Sequence, residues 1–541
     1  MRLFPGFTLF LLLAGSFLLS GCGASETRVE RGNREGILHV GNGAEPQNLD
    51  PQTITGIPES KIVSTLFEGL VELDPETLRP APAAAARWEV SEDGRTYTFF
   101  LQPEGRWSNG EPVMAEDFVT SYRRKLSPRL ASQYAYMLFP MVNAEAFHRG
   151  ELSSFEEVGV RALDERTLEI RLAYPVPYFL SLLTHSSWFP IHPATIKRFG
   201  ALDEPFTAWT RPGNLVGNGA FTLTSWRPDR DLKVSRNPHY WRAGEVSLAG
   251  IVFYPISNAT SEERAFRTGQ LHITETIPPE LVPRYRADER GVFQSKPSFA
   301  TYYFRLNVTR PPLDDARVRR ALLLTIDRTT IVENLLRGGQ QPAYGFTPPG
   351  DPNYQPGPFF AEDAEKARRL LAEAGFPNGE GFPSLTLLYN TSEQHRLIAE
   401  AVQDMWQQEL GINISLLNQE WQVYLDTQNR LNYDISRSGW VGDYMDANTF
   451  LDLMLSDGGN NRTGWGDPAY DALIREASRT GDLTARAALF KEAEALLLES
   501  APVLPVYFYR SLFLQDPSVH DYFSLPTGQR VYRRVRLVTE D

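Results

Sequence analysis

Cysteine is nearly absent: Cys22 is the one cysteine in 541 residues. One cysteine forms no internal disulfide and builds no zinc or iron–sulfur cluster. Lysine is scarce too, at 7 of 54 basic residues, so arginine supplies nearly every cation; the skew fits a GC-rich coding sequence and says little about function. Bases are outnumbered by 67 acids, giving a net charge of −13 spread along the chain. That argues against nucleic-acid binding, which needs many cations facing phosphates. Enzyme motifs are missing as well: no GxSxG, no HExxH and no GxxxxGK[ST] occurs. The eight histidines are dispersed, and the nearest pair, His185 and His192, has no carboxylate cluster at ligand spacing. Pairs such as Glu262-Glu263 and Asp314-Asp315 read as surface or helix N-terminal charge. No enzyme, metal site or cofactor is expected.

Long apolar runs are lacking except at the start. Residues 7–19, FTLFLLLAGSFLL, follow the cationic Arg2. The run is short of the roughly 20 residues a membrane-crossing helix needs and suits a signal-peptide core. It ends in Leu19-Ser20-Gly21-Cys22, which resembles the bacterial lipobox, where a cysteine after small residues is diacylated and becomes the first residue. The alternative is an ordinary cleavage site that contains a cysteine. Residues 1–21 are read as a lipoprotein signal peptide and 22–36 as lipidated Cys22 plus a flexible tether, which puts an anchored body outside the cytoplasm.

What the chain does contain is a well-folded, aromatic-rich body, 42% hydrophobic and 12% aromatic, long enough for two or three domains. Strand and helix patterns are mixed. Residues 37–41 read as a strand, and Ile62, Val63, Leu66, Phe67 and Leu70 fall at helical spacing. Pro228-Asp229-Arg230 reads as a hairpin turn between 221–223 and 232–234. Val318, Leu322, Leu323, Ile326 and Ile331 line what the spacing predicts as one long helix. Further on, 364–374 and 395–410 read as helices and 385–389, 412–417 and 433–436 as strands. Aromatic runs such as 301–304 and 506–509 are core material or walls of a cleft for amphipathic ligands.

Several segments carry a family resemblance. They include Pro80–Ala85, Trp88-Glu89-Val90-Ser91-Glu92-Asp93-Gly94, Trp107-Ser108-Asn109-Gly110-Glu111-Pro112-Val113, Asn237-Pro238-His239-Tyr240-Trp241 and Gly439-Trp440-Val441-Gly442-Asp443-Tyr444. Together they resemble the family 5 extracellular solute-binding proteins of ABC transporters over about residues 37–541, and the last motifs resemble the oligopeptide-binding subgroup.

The resemblance implies a mixed α/β fold of the type II periplasmic-binding kind, with three domains in two lobes, a hinge and a ligand cleft between the lobes. Domain I would take 37–57, 186–298 and 515–541, domain II 58–185 and domain III 299–514. Short peptides would be the ligand and membrane permease subunits the partner of a monomeric receptor. Murein peptides, dipeptides, nickel chelates or a sensory role are alternatives within the same fold.

The resemblance also assigns a site. Asp443 would pair with the peptide α-ammonium; otherwise it is a turn or helix-cap aspartate. The backbone of Gly439, Trp440 and Val441 would pair with the peptide from one side and that of Glu45-Pro46-Gln47 from the other. Gly439 fits close backbone approach or a turn, and Glu45 fits a ligand contact or a surface loop. Arg437 and His395 would meet the ligand carboxylate; otherwise Arg437 belongs to a cross-strand ion pair and His395 to a helix start. Trp421, Tyr302 and Tyr507 are candidate walls or core. Some relatives carry lysines in the stretch matching 333–337, where this chain has Asn334 and Leu336, so neither ligand length preference nor recognition of the ligand's C-terminal end is carried over from them.

Overall fold

The computed structural model describes residues 26–538; Cys22 and the signal segment lie outside the described residues. Three sheets organise the chain. The first orders its strands Ile37–Gly41, Gly250–Tyr254, Asp231–Arg236 and Phe221–Arg227. Leu38, Val40, Leu232, Val234, Ile251 and Phe253 bury one apolar layer. The expected hairpin is present, with Asp229 in the left-handed region that a tight turn demands (φ 58°). Beside it, Ile57–Leu66 forms a helix with Pro58 in its first turn and Ile62, Val63 and Leu66 buried. It stops at Phe67, whose backbone is extended, so Phe67 and Leu70 lie beyond the helix expected to hold them.

The second sheet is antiparallel, ordered Ala85–Val90, Thr96–Leu101, Thr167–Arg171 and Val160–Ala162. Tyr97, Phe99 and Leu101 alternate inward, as a half-buried strand requires. The helix Ala115–Leu126 buries Phe118, Tyr122 and Leu126 in the same core and carries two buried cations, Arg124 and Lys125.

Six strands make the third sheet, in the order Gln341–Pro342, Val503–Leu514, Phe293–Leu306, Ile435–Val441, Leu385–Asn390 and Ile414–Gln419. Leu385–Asn390 runs parallel to both of its neighbours, so helical crossovers are obligatory. Glu393–Leu410 and Trp421–Asn429 supply them. The first is capped by Ser392, whose hydroxyl accepts the His395 N–H, and ends on left-handed Gly411 (φ 69°).

Three sequence expectations are corrected. Arg28–Glu35 is a helix with a Thr27/Glu30 capping box, and it buries Val29 and Gly32. The segment 22–36 is therefore not tether throughout; a short polar helix is held by one apolar contact and its cap, which no hydrophobic period signals. The helix expected through 318–331 breaks after Leu324, and Asp327 caps a new start by accepting the Thr330 N–H at 2.8 Å. The strand expected at 433–436 is Ile435–Val441.

The segment boundaries expected after 298 and 514 both fall on one antiparallel ribbon. Phe293–Leu306 pairs with Val503–Leu514 along nearly its whole length, with a register shift between Pro297 and Thr301. One apolar cluster joins Phe99, Tyr134 and Trp188 to Phe299, Trp440 and Phe450. Tyr178 and Tyr444 stack across it at 4.9 Å, 2° from parallel.

Candidate functional site

A cavity of about 220 Å³ lies where the sheets face each other. Its floor is the strand Ile435–Val441. On one edge this strand pairs with Phe293–Leu306 along its whole length, from Leu306↔Ile435 to Ala300↔Val441. On the other edge Leu385–Asn390 reaches only Ile435 and Ser436. Among the described residues, Arg437 to Val441 thus have one edge with no strand partner, opening on the cavity. An extended backbone laid there would find peptide N–H and C=O groups to pair with, the Arg437 carbonyl excepted, which already accepts from the Tyr424 hydroxyl and from Gln428 Nε2 at 3.1 Å. Gly439 keeps that floor low. A Cβ built on it would stand 3.0 Å from the Tyr509 hydroxyl and 3.4 Å from Arg437 Nη2. The residue lies inside a strand, so close approach, not a turn, explains the glycine.

Two residues beyond the end of the strand stands Asp443, which lines the cavity together with Glu68 and Glu72. Its side chain is 10% exposed. Its Oδ1 is 3.3 Å from His185 Nε2 and 3.4 Å from the Tyr134 hydroxyl, and its Oδ2 accepts from the Thr449 hydroxyl at 3.4 Å. His185 Nδ1 accepts the Ser187 N–H at 3.2 Å, which places the ring proton on Nε2, facing Asp443. Burial pushes the Asp443 carboxyl up to about 8, against the Thr449 and Tyr134 hydrogen bonds and the nearby Lys125, which favour its charge. Burial takes His185 down to about 3, helped by Lys125, so the ring is neutral. Lys125 is itself brought down to about 7, chiefly by burial; its ammonium donates to Gln52 O at 2.9 Å and Ser187 Oγ at 3.0 Å. The helix Asn448–Leu451 is preceded by Ala447, not Asp443, so the helix-cap alternative is not what the fold uses.

Arg437 lines the cavity at the start of the free edge. It has no carboxylate partner. It donates to Asn390 Oδ1 at 3.1 Å and the Tyr509 hydroxyl at 2.6 Å, and lies 4.9 Å from the Tyr302 ring centre. Burial opposes its charge, but Tyr509, Tyr424, Tyr302 and Tyr507 hold its pKa above the ordinary arginine value. Its Nε has no partner. The cross-strand ion pair is absent.

The other expected residues fall in two groups. Trp440, Val441 and Trp421 line the cavity; Trp421 presses on Gly56 of the first lobe, where a Cβ would come within 3.0 Å of its ring. Tyr302, Tyr507 and His395 do not line it. Tyr302 and Tyr507 are fully buried and stacked at 4.8 Å, forming a layer under Arg437. His395 packs on Tyr302 at 5.6 Å in the first turn of its helix. Burial, with Arg437 beside it, drops its pKa well below the usual histidine value, so it brings no cation to a ligand carboxylate here. Glu45 also turns away: its carboxylate accepts from Trp226 Nε1 at 2.6 Å and from the Asp229 N–H at 3.1 Å, clamping the hairpin. The Gln47 N–H is taken by Glu59 Oε1 at 2.7 Å, so that donor is already paired.

Sequence reasoning missed Tyr134, His185, Lys125, Arg305 and Arg462. The first four lie in a helix or strand pattern or an ordinary loop, where nothing local separates a site residue from core. One faint signal existed: in a chain so short of lysine, Lys61 and Lys125 are both buried, and Lys61 meets Glu275 at 2.6 Å.

Comparison with known proteins fits this geometry. The model of the bacterial extracellular solute-binding proteins, family 5, matches residues 79–462. The periplasmic oligopeptide-binding protein OppA of Escherichia coli (strain K12) is 37% identical over 503 residues, 91% of each chain. Haemophilus influenzae OppA in complex with the peptide RPPGFSPFR superposes with a TM-score of 0.88 at 33% identity, covering 93% of this chain and 99% of that one. Escherichia coli MppA, a murein tripeptide binding protein, superposes in one structure with a TM-score of 0.89, covering 93% of this chain and 99% of that one. In its unliganded open form the TM-score is 0.64, covering 94% and 98%, and both comparisons are at 35% identity. The lobes here are therefore arranged as in the former structure, not the open one. A match over most of the chain, in sequence and in fold, makes this protein a member of the family 5 bacterial extracellular solute-binding proteins.

Proposed function

We propose that the protein captures short peptides outside the cytoplasm and hands them to the permease subunits of an ABC importer. The observation that carries this reading is the free edge of Arg437–Val441 leading to Asp443. A peptide receptor must satisfy backbone groups whatever the side chains are, because each buried N–H or C=O left unpaired costs about 1–3 kcal/mol. The strand edge does that. Asp443 meets the α-ammonium, and Arg437, cationic and without a carboxylate partner, meets the α-carboxylate. Trp421 and Trp440 wall the space between.

The fold supplies the delivery step. Two lobes that meet across a cavity close over a ligand and present a closed surface to a membrane partner. Cys22 tethers the monomeric receptor to the membrane through its lipid; Cys22→Ser should move the protein from the membrane fraction to the soluble extracytoplasmic fraction. Calorimetry with a tripeptide and its N-acetyl derivative tests the central claim. The free peptide should bind far more tightly, and equal affinities would overturn the ammonium pairing. Native mass spectrometry of protein from its own host should find co-purified masses in the peptide range.

A further inference from the structure

Besides Arg437 and Arg530, two more guanidiniums of the cleft form no ion pair with a carboxylate among the described residues. Arg305 and Arg462, 4% and 9% exposed, both line the cavity. Nε and Nη2 of Arg305 donate to the Tyr303 hydroxyl, at 3.3 and 3.0 Å, and Nη1 has no partner. Arg462 donates to Gln133 Oε1, and its Nε has no partner. Tyr303, Tyr433 and Tyr424 act most strongly on the charge of Arg305, and Arg305, Tyr134, Tyr424 and Tyr303 on that of Arg462. The two cations also repel each other: burial and Arg305 bring Arg462 down to about 10, which still leaves it charged at neutral pH.

Among the described residues, the buried arginines away from the cavity leave no buried N–H without a partner. Arg124 faces Asp50 at 2.5 Å and Arg486 faces Asp446 at 2.6 Å. Arg319, without a carboxylate, donates to three backbone carbonyls instead. A buried cation without a counter-ion is costly. Two of them, side by side and each with a free N–H, are what an anion-binding site lacks only its anion to complete.

The strand geometry separates this pair from Arg437. Side chains alternate along a strand. Arg437 lies opposite Phe304 in the register and its guanidinium sits over Tyr302; Arg305 lies opposite Ser436, with Tyr303 opposite Ser438. Arg305 thus addresses one face of the sheet and Arg437 the other. A peptide added to the free edge presents successive side chains to the two faces in turn. We propose that Arg305 and Arg462 form a subsite for a side-chain carboxylate, which makes the receptor selective for peptides with an acidic residue at the position facing them. The proposal rests on the peptide reading above.

The test is a calorimetric scan at neutral pH with the full mature chain. Trialanine and tetraalanine are compared with versions carrying Glu, or its isostere Gln, at each position in turn. At one position Glu should bind about tenfold or more tighter than Gln, the scale of a charge-assisted hydrogen bond. In Arg305→Met and Arg462→Met that ratio should fall to about one. Arg462→Gln is the milder variant should Met disturb folding, and Arg305→Glu should shift preference toward Lys at the same position. Equal affinity for Glu and Gln everywhere, with the alanine peptides still binding, overturns the subsite alone. A Glu preference that survives all the variants overturns the assignment to these arginines. If the alanine peptides and their Glu forms all fail to bind, the peptide reading falls and the subsite with it.

Discussion

His185 Nε2 and Asp443 Oδ1 stand 3.3 Å apart, with 15% and 10% of their side chains exposed, and they come from distant segments of the chain. The contact joins a neutral imidazole to a carboxyl whose pKa burial has pushed up to about 8. Without ligand, the cleft therefore stores Asp443 protonated at neutral pH. A peptide ammonium that arrives must draw the charge out of it.

That fixes the pH dependence of binding. The complex needs Asp443 charged and the peptide amine protonated. Below about pH 8 the free receptor holds the carboxyl proton, so binding must release it. Above about pH 8 the peptide α-amine, ordinarily near 7.7–8.0, loses its own proton. Affinity should peak near pH 8 and fall on the acid side by up to about tenfold per pH unit. Calorimetry at pH 7 in buffers of different ionisation enthalpy should report release of close to one proton. Release of none would show that Asp443 is already charged or is not the partner.

The same carboxyl sets a stability trend. Its folded pKa, about 8, lies above the unfolded value of roughly 3.9. Between those values the folded state binds the extra proton, so this group's contribution falls as pH rises from about 4 to 8. Asp443→Asn does not titrate. The melting temperature of the variant, relative to wild type, should rise across that range while peptide binding weakens at least about a hundredfold. A difference that stays flat with pH would contradict the protonated state.

Asp50 and Arg124 test the frame around the site. Arg124 Nη2 lies 2.5 Å from Asp50 Oδ2, and Nη1 reaches Gln52 Oε1 at 2.7 Å. The pair ties the loop after the first strand to the helix that carries Lys125, and both partners are buried. Asp50→Ala leaves the guanidinium without its counter-ion and should cost about 3–5 kcal/mol. Denaturant unfolding should show a lowered midpoint with an unchanged slope.

How much of this could be read from sequence depended on whether the cause was local. The Pro228–Arg230 hairpin, the helix after Ser392 and the strands flanking it follow from turn residues, caps and periodicity within a few positions. The break at Thr325 was hidden because Asp327, as a cap, outweighs an apolar spacing that runs on through Ile326 and Ile331. Asp443 and Arg437 were reached through the family motif around Trp440. His395 was carried over on the same ground, yet what decides its charge is burial against Tyr302, a contact between distant segments. Arg305 sits in an aromatic strand pattern that reads as core. Only the three-dimensional placement, at the cavity and with a buried N–H left unpartnered, gives it a meaning.

Closure itself is measurable through Tyr134 and Trp440. Their rings stack across the lobes with centres 6.1 Å apart, and Trp440 is only 7% exposed. Both line the cavity, so opening the lobes exposes them to water. The related murein tripeptide binding protein has an unliganded open form whose TM-score against this arrangement drops to 0.64. In solution the ligand-free protein should populate an open form with a larger radius of gyration by X-ray scattering. Saturating peptide should shrink that radius and shift Trp440 emission to the blue as water leaves its ring. Tyr134→Ala removes half of the interlobe stack and should weaken peptide affinity through loss of the closed form, with the open-state radius unchanged. A radius that does not respond to peptide in wild type would place recognition in a preformed cleft, not in the closing of two lobes.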